Sequence, residues 1–319
     1  MGENGAGKTN LLEALHVGTQ GFSPRTRSEG QLVRFGEDVA SLALNVLRNG
    51  VLREVRIKLS PGAAKEASLD GARLPSAELL RREFPALVFT PDRLAVVKGG
   101  PAARRAYFDR VAGRLQPARF AVPQEYAAAL AQRNASLKRI QLSLSGRDAL
   151  APWTARVAEL GATLNKLRRE TVAELRPGFA ERAGELGLDG ARLEYTAVAP
   201  SVTDLETRIE SDIVRGATGL GPHLDDILIA AGPRDLRSFG SQGEQRLAVL
   251  SLLLAEAELL NREPILLLDD VLSELDSGRR RVLAARIAEL GQVVITATER
   301  SSLPLEPAQV VEVTPGQAR

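Results

Sequence analysis

Eight residues near the start of the chain, Gly2-Glu3-Asn4-Gly5-Ala6-Gly7-Lys8-Thr9, satisfy the spacing G-x-x-x-x-G-K-[ST] in full. Glycine has no Cβ to hold a ligand away from the backbone, so successive N–H groups can converge on phosphate oxygens. The helix expected to follow adds the positive end of its dipole. Lys8 is placed to neutralise the β and γ phosphates of a nucleoside triphosphate, and the Thr9 hydroxyl is an oxygen ligand for Mg2+. A glycine-rich lead-in to an ordinary helix is the competing explanation.

A second centre of chemistry lies far along the chain. In Ile265-Leu266-Leu267-Leu268-Asp269-Asp270, four apolar residues run into two carboxylates. Such a run reads as a strand buried on both faces of a parallel sheet, ending where the ligands of open α/β sheets gather. Asp269 is expected to hold Mg2+ through the metal's water shell, and Asp270 to orient or deprotonate an attacking water. An acidic cap on the next helix would also account for the pair. The third candidate is the stretch 239–246, Phe-Gly-Ser-Gln-Gly-Glu-Gln-Arg, at the start of a long apolar helix. Ser241 and Glu244 form an S-x-x-E capping box, which explains them structurally, yet an exposed Ser and Gly243 at a helix N-terminus can also grip a phosphate.

The elements that must carry these residues are readable from periodicity. A short helix follows the loop, with Leu11, Leu12 and Leu15 on one side. Residues 40–59 alternate apolar with polar around Asn49-Gly50 and predict a β-hairpin. Residues 69–74 supply another turn, and 86–90 a buried strand ending at Pro91. Two heptad-like runs follow, one from Tyr126 to Leu144 and one from Trp153 to Leu175, broken by Gly146 and Pro152. They predict an antiparallel helical hairpin of about 22 residues, roughly 33 Å, per helix. A strand at 192–198, helices at 204–215, 241–260 and 277–290, and strands at 265–270 and 292–298 complete an α/β unit split by the helical insertion.

Composition narrows the classes. The chain has no cysteine and two histidines, His16 and His223, which excludes disulfides, thiolate metal sites and cysteine nucleophiles and leaves little for histidine-dependent hydrolysis. No apolar run reaches 18 residues and no leader is present, so neither a membrane span nor a membrane partner is expected and the cytoplasm is the expected compartment. Lys+Arg and Asp+Glu nearly balance at 42 and 40, but residues 104–182 hold 15 basic against 7 acidic residues. That segregation points to a polyanionic partner, with a solvated arginine-rich face as the plain alternative.

The order of phosphate loop, helical insertion, Ser/Gly/Gln-rich helix start, apolar strand with Asp-Asp, and Ser273-Glu274-Leu275-Asp276 resembles the ATPase head of the ABC and SMC class. Within that class GENGAGKTNLLEAL (2–15), FTPDRLAVVKGGPAARRAYFD (89–109), GPHLDDI (221–227), GSQGEQR (240–246) and LLLDDVLSELD (266–276) are similar to the RecF family of bacterial recombinational-repair ATPases. They span nearly the whole chain in that family's order. The resemblance implies an α/β fold, an ABC/SMC-type P-loop ATPase head with an inserted antiparallel helical hairpin arm, divided as head 1–112, arm 113–189 and head 190–319. It implies ATP and Mg2+ as cofactors. Gly2, Asn4, Gly5, Gly7, Lys8, Thr9 and Asn10 would contact nucleotide together with Ser241, Gly243 and Asp276. Thr9 and Asp269 would hold the metal, and Asp270 and Lys8 would be catalytic. In this class the Ser-containing signature of one head closes over the ATP of another, which implies an ATP-dependent homodimer. Duplex and gapped DNA, RecR acting with RecO, and loading of recombinase follow as implied partners and role, with Arg104, Arg105, Lys138 and Arg139 as DNA contacts.

Departures from the family pattern carry their own expectations. Leu224 stands where the family typically has a basic residue, and no histidine follows Val293-Val294-Ile295-Thr296-Ala297-Thr298. Asp270, where transporter-type members carry Glu, has a shorter reach to water and suggests slow hydrolysis. Members of the family place a strand ahead of the phosphate loop, so a start here suggests a start codon assigned too late or a truncated chain. Lost backbone anchoring and an exposed sheet edge would then weaken or abolish nucleotide binding. A transporter-type ABC ATPase subunit and a non-catalytic scaffold with a dead nucleotide site are the alternatives.

Overall fold

In the structure, a computed structural model describing residues 1–26, 28–48, 50–260 and 263–319, glycines in left-handed backbone set both ends of the first helix. Gly7 (φ 105°) precedes α1 (Lys8–Gln20), and Gly21 (φ 75°) ends it with its N–H on the Val17 carbonyl. The hairpin expected at 40–59 is present as β1 (Ala40–Arg48) and β2 (Val51–Leu59), paired from Ala40↔Leu59 to Arg48↔Val51. Asn49 of its expected turn lies outside the described residues. The turn at Asp70-Gly71, both at positive φ, joins β3 (Glu66–Leu69) to β4 (Ala72–Arg73), giving an antiparallel sheet in the order β1-β2-β3-β4. Alternation puts Val55, Ile57, Leu59 and Leu69 on one face, where they pack with Val17 of α1 and with Leu80 and Phe84 around α2 (Glu78–Glu83). β5 (Ala86–Phe89) is buried throughout.

The chain then leaves this unit, residues 1–93 and 260–319, for a second unit of residues 94–259. α3 (Ala95–Lys98) and α4 (Pro101–Leu115) lead to the expected antiparallel pair, α5 (Val122–Gln141) and α6 (Ala151–Glu185). α6 is longer than periodicity suggested, at 35 residues or about 52 Å, because it runs through Pro177. Proline removes one backbone donor and would end an isolated helix. Here α6 packs along α10, with Gly178 letting Ala255 come close, and tertiary contact overrides the local signal. β6 (Ala191–Glu194), α7 (Val202–Glu206), α8 (Ile209–Arg215), β7 (Leu228–Ala231), β8 (Arg234–Asp235), α9 (Leu236–Phe239) and α10 (Gln242–Leu259) complete the unit. The helix expected at 204–215 is thus two short helices, the first started by a Ser201–Asp204 capping box. Tyr126, Val157, Leu160, Leu164 and Leu205 form a core between α5, α6 and α7.

Returning to the first unit, β9 (Ile265–Leu268), α11 (Ser277–Ala288) and β10 (Val293–Ile295) build a parallel sheet in the order β10-β9-β5. Leu266, Leu267 and Leu268 are wholly buried, as a central parallel strand requires, and Leu12 of α1 packs with Val88 and Leu267. A small ribbon, β11 (Val313–Thr314) and β12 (Gln317–Ala318), ends the chain. The two units follow packing, whereas the division 1–112, 113–189 and 190–319 follows head and arm and enters again below as a proposal.

The second unit is held by a buried ion pair. Arg133, 0% exposed, donates to Asp212 Oδ2 at 2.8 Å, to the Thr218 hydroxyl at 2.7 Å and to the Thr154 hydroxyl at 3.2 Å. Asp212 accepts a further bond from the Gly219 N–H. Removing one partner leaves an uncompensated buried charge, so Arg133→Leu should destabilise by about 3–5 kcal/mol, and Arg133→Leu/Asp212→Leu should recover most of that loss. Urea unfolding followed by fluorescence of Trp153, the single tryptophan, measures both.

Candidate nucleotide-binding site

The glycine loop closes as its spacing predicts. Ala6 N–H donates to Glu3 O at 3.2 Å, and Leu11 N–H to Gly7 O at 3.0 Å opens α1. A Cβ on Gly2 would lie 2.2 Å from the Val313 carbonyl oxygen, so only glycine fits there. Lys8 bends back, its Nζ donating to Gly2 O at 2.7 Å and Glu3 O at 2.9 Å. α1 has no side-chain cap and no acidic residue in its first turn, so no protein carboxylate neutralises the positive end of its dipole. Asn4, Gly5 and Asn10 are exposed around it. The expected loss of backbone anchoring is corrected: the Met1 ammonium donates to Val311 O, and Val313 N–H donates to Met1 O at 2.6 Å. Backbone from the end of the chain thereby holds the loop.

Asp269 ends β9 beside this loop. The Thr9 hydroxyl lies 3.0 and 2.9 Å from its two carboxylate oxygens, and Thr296, just beyond β10, donates to Oδ1 at 2.7 Å. Asp269 is buried, so these hydroxyls supply the hydrogen bonds a buried carboxylate needs. Asp270 is exposed and sits at φ 48°, left-handed backbone that costs a non-glycine residue roughly 1–2 kcal/mol. Its N–H donates to Thr296 Oγ1 at 3.0 Å and its carbonyl accepts from Ser273, which stabilises the unusual turn. A hydroxyl and a carboxylate in contact form the small donor set that fits Mg2+, which keeps several waters and takes phosphate oxygens. No cluster of three or more His, Asp or Glu suited to a metal occurs among the described residues.

Asp276 caps α11, accepting from Arg279 N–H at 2.9 Å, and this bond holds its carboxyl below the usual range. In the other unit Ser241 and Glu244 form the predicted capping box. Ser241 N–H donates to the Glu244 carboxylate at 2.8 Å, and Glu244 N–H to Ser241 Oγ at 3.2 Å. The Ser241 N–H, and after it Arg234 at 2.7 Å, lower the Glu244 pKa. Ser241 and Gly243 are exposed.

The arginine candidates divide. Arg104 is buried and donates through Nε and Nη2 to both carboxylate oxygens of Asp226 at 2.7 Å, and through Nη1 to Val97 O and Gly99 O. The DNA contact expected of it is corrected, because every arm of the guanidinium is turned inward. Arg105 is half-buried and donates to Asp225 O at 2.7 Å. Lys138 and Arg139, near the end of α5, are exposed. The 221–227 stretch is held internally: Asp225 accepts from Tyr195, Arg168 donates to Pro222 O and bidentately to Asp109, and His223 bridges Tyr126 and Thr218 O. Thr296 was missed by sequence reasoning, since its one signal is a polar residue ending an apolar strand.

Comparison with known proteins agrees with this geometry. The model of the RecF/RecN/SMC N-terminal domain matches residues 1–318. The DNA replication and repair protein RecF of Anaeromyxobacter sp. (strain K) is 39% identical, covering 97% of this chain and 87% of that protein. RecF of Myxococcus xanthus (strain DK1622) is 37% identical, covering 94% and 84%. A solved structure of the recombination mediator protein RecF with ATP, in the RecFOR pathway, gives a TM-score of 0.86 at 28% identity and covers 100% of this chain and 89% of that one. The Smc head domain of Pyrococcus furiosus with an extended coiled coil shares the fold at a TM-score of 0.57 and 16% identity, covering 100% and 87%. Fold and loop together define an ABC/SMC-type ATPase head with a long helical arm. The chain belongs to the RecF family, and its RecF relatives named here are DNA replication and repair proteins.

His223 makes the 221–227 stretch pH-sensitive. Its Nε2 faces a carbonyl and must donate, so Nδ1 accepts from Tyr126 and the ring is neutral. Burial lowers its pKa and raises that of Tyr126 to about 12. A histidine with a depressed folded-state pKa contributes fully above its ordinary value of about 6.5 and loses that contribution as pH falls below it. Wild type should therefore lose stability relative to His223→Gln between about pH 7.5 and 5.5, measured by urea unfolding at both.

Proposed function

We propose that this chain is an ATP-dependent DNA-binding protein of recombinational repair, in which ATP joins two copies. The observation that carries the reading is the contact of the Thr9 hydroxyl with Asp269 at the uncapped start of α1. Gly2, Asn4, Gly5, Gly7 and Asn10 line the triphosphate, and Lys8 exchanges its two loop carbonyls for phosphate oxygens. Thr9 and Asp269 hold Mg2+, which when bound offsets charge developing on the phosphates. Asp270, on the turn fixed by Thr296, orients the attacking water. Its short side chain makes this slow, and the protein a switch more than a catalyst. The ATP held by a solved relative supports the nucleotide.

Ser241 and Gly243, exposed at the start of α10, with Asp276, close on the triphosphate held by a second copy. Nucleotide that binds the dimer better than the monomer must favour the dimer. Head segments 1–112 and 190–319 carry these groups, and the arm 113–189 carries basic side chains, among them Lys138 and Arg139, toward duplex and gapped DNA, with Arg105 contributing at its base. RecR with RecO is the proposed partner set for loading recombinase in the cytoplasm, a reading supported by the pathway of the solved relatives.

Light scattering should show a dimer with Mg2+ and ATP, and monomer for Lys8→Arg and Ser241→Arg. Turnover should fall below roughly 10 s⁻¹, the median for enzymes. DNA affinity should drop at least about tenfold between roughly 50 and 200 mM salt, as phosphate contacts require. A chain that stays monomeric with saturating ATP contradicts the reading.

A further inference from the structure

Three residues stand in register at the C-terminal edge of the parallel sheet. Phe89 and Ile295 both pair with Leu268, so Thr90, Asp269 and Thr296 follow side by side on neighbouring strands. The backbone bonds Asp269 N–H to Phe89 O at 2.9 Å and Thr296 N–H to Leu268 O at 3.0 Å carry the alignment past the strand ends. Register partners in a parallel sheet share a face, which is the edge where ligands of such sheets bind.

The two threonines are both buried, Thr296 to 8% and Thr90 to 2% exposure, but their hydroxyls differ. That of Thr296 donates to Asp269 and accepts from Asp270 N–H. That of Thr90 is shut off from solvent and has no hydrogen-bond partner among the described residues, although the Thr90 carbonyl accepts from Arg93 N–H at 2.9 Å. The next residue, Pro91, has no N–H to offer. A buried hydroxyl without a partner weakens the fold, and valine would fill the same shape without that penalty.

We propose that Thr90 is a further contact residue of the nucleotide site, its hydroxyl donating to an oxygen of the hydrated magnesium triphosphate, either a water of the metal's shell or a phosphate oxygen. The proposal rests on the nucleotide reading above. A hydroxyl left over by folding is then matched when ligand arrives, and its cost to the free protein buys selectivity at the site.

The test is calorimetric titration of the full chain with ATP, in Mg2+ and in EDTA, for wild type, Thr90→Val, Thr90→Ser and Lys8→Arg, with thermal melts of each and of Thr296→Val. Thr90→Val should bind Mg2+ and ATP about tenfold more weakly, as loss of a hydrogen bond to a charged group predicts, and Thr90→Ser should stay within about twofold of wild type. Ligand-free Thr90→Val should melt no lower than wild type, whereas Thr296→Val should melt lower. A loss confined to Mg2+ assigns the contact to a metal-bound water, and a loss persisting in EDTA assigns it to a phosphate oxygen. Thr90→Val binding like wild type while Lys8→Arg has lost ATP overturns the proposal and leaves the nucleotide reading standing. So does Thr90→Val melting as low as Thr296→Val, because the hydroxyl would then have a partner in the fold. Lys8→Arg binding like wild type overturns the nucleotide reading, and the proposal with it.

Discussion

A buried carboxylate must be hydrogen-bonded or neutralised, and Asp269 is the residue around which the first unit is arranged to meet that demand. Its partners come from three separate stretches of chain: Thr9 from the start of α1, Thr296 from the end of β10, and the backbone of β5 through Phe89 O. Parallel pairing of β10, β9 and β5 brings the strand ends to one edge, and Leu12, Val88 and Leu267 press α1 against that sheet. The same arrangement leaves the start of α1 uncapped, with Lys8 resting on its own loop. A negative side chain and a positive helix end therefore lie together without cancelling through direct contact, the electrostatic setting in which a cation and a polyanion bind jointly.

The second unit solves a different problem with the same chemistry. Its sequence is rich in arginine, and folding redirects much of that charge inward. Arg133 pairs with Asp212, Arg104 with Asp226, Arg114 with Glu256, Arg147 with Glu210 and Arg182 with Glu258, each carboxylate lying beyond the basic segment 104–182. The excess of basic residues along that segment thus overstates what is left for a polyanion. Lys138 and Arg139, both exposed, are the candidates that keep their charge at the surface. Arg133 and Arg168 carry the ordering of the unit, through Asp212 and Asp109.

Legibility followed locality. The glycine loop, the Asp-Asp strand end and the Ser241–Glu244 box are spacings of a few residues, and each folds as its spacing predicts. The β1–β2 hairpin and the α5–α6 pair were readable from periodicity for the same reason. Three features were hidden because their partners are distant in sequence. Met1 meets Val311 and Val313, Thr296 and Thr90 flank Asp269, and Arg104 meets Asp226. The length of α6 was hidden because Pro177 is a local stop signal that packing against α10 overrides. Side-chain type told which residues can do chemistry, and strand register told which of them meet.

The most direct measurement of the central claim is the electron paramagnetic resonance of Mn2+, standing in for Mg2+, titrated with ATP into wild type and Asp269→Asn. The account predicts that wild type immobilises the ion only when ATP is present, and that Asp269→Asn still binds ATP in EDTA but leaves the ion free in solution. Equal immobilisation by Asp269→Asn would contradict it.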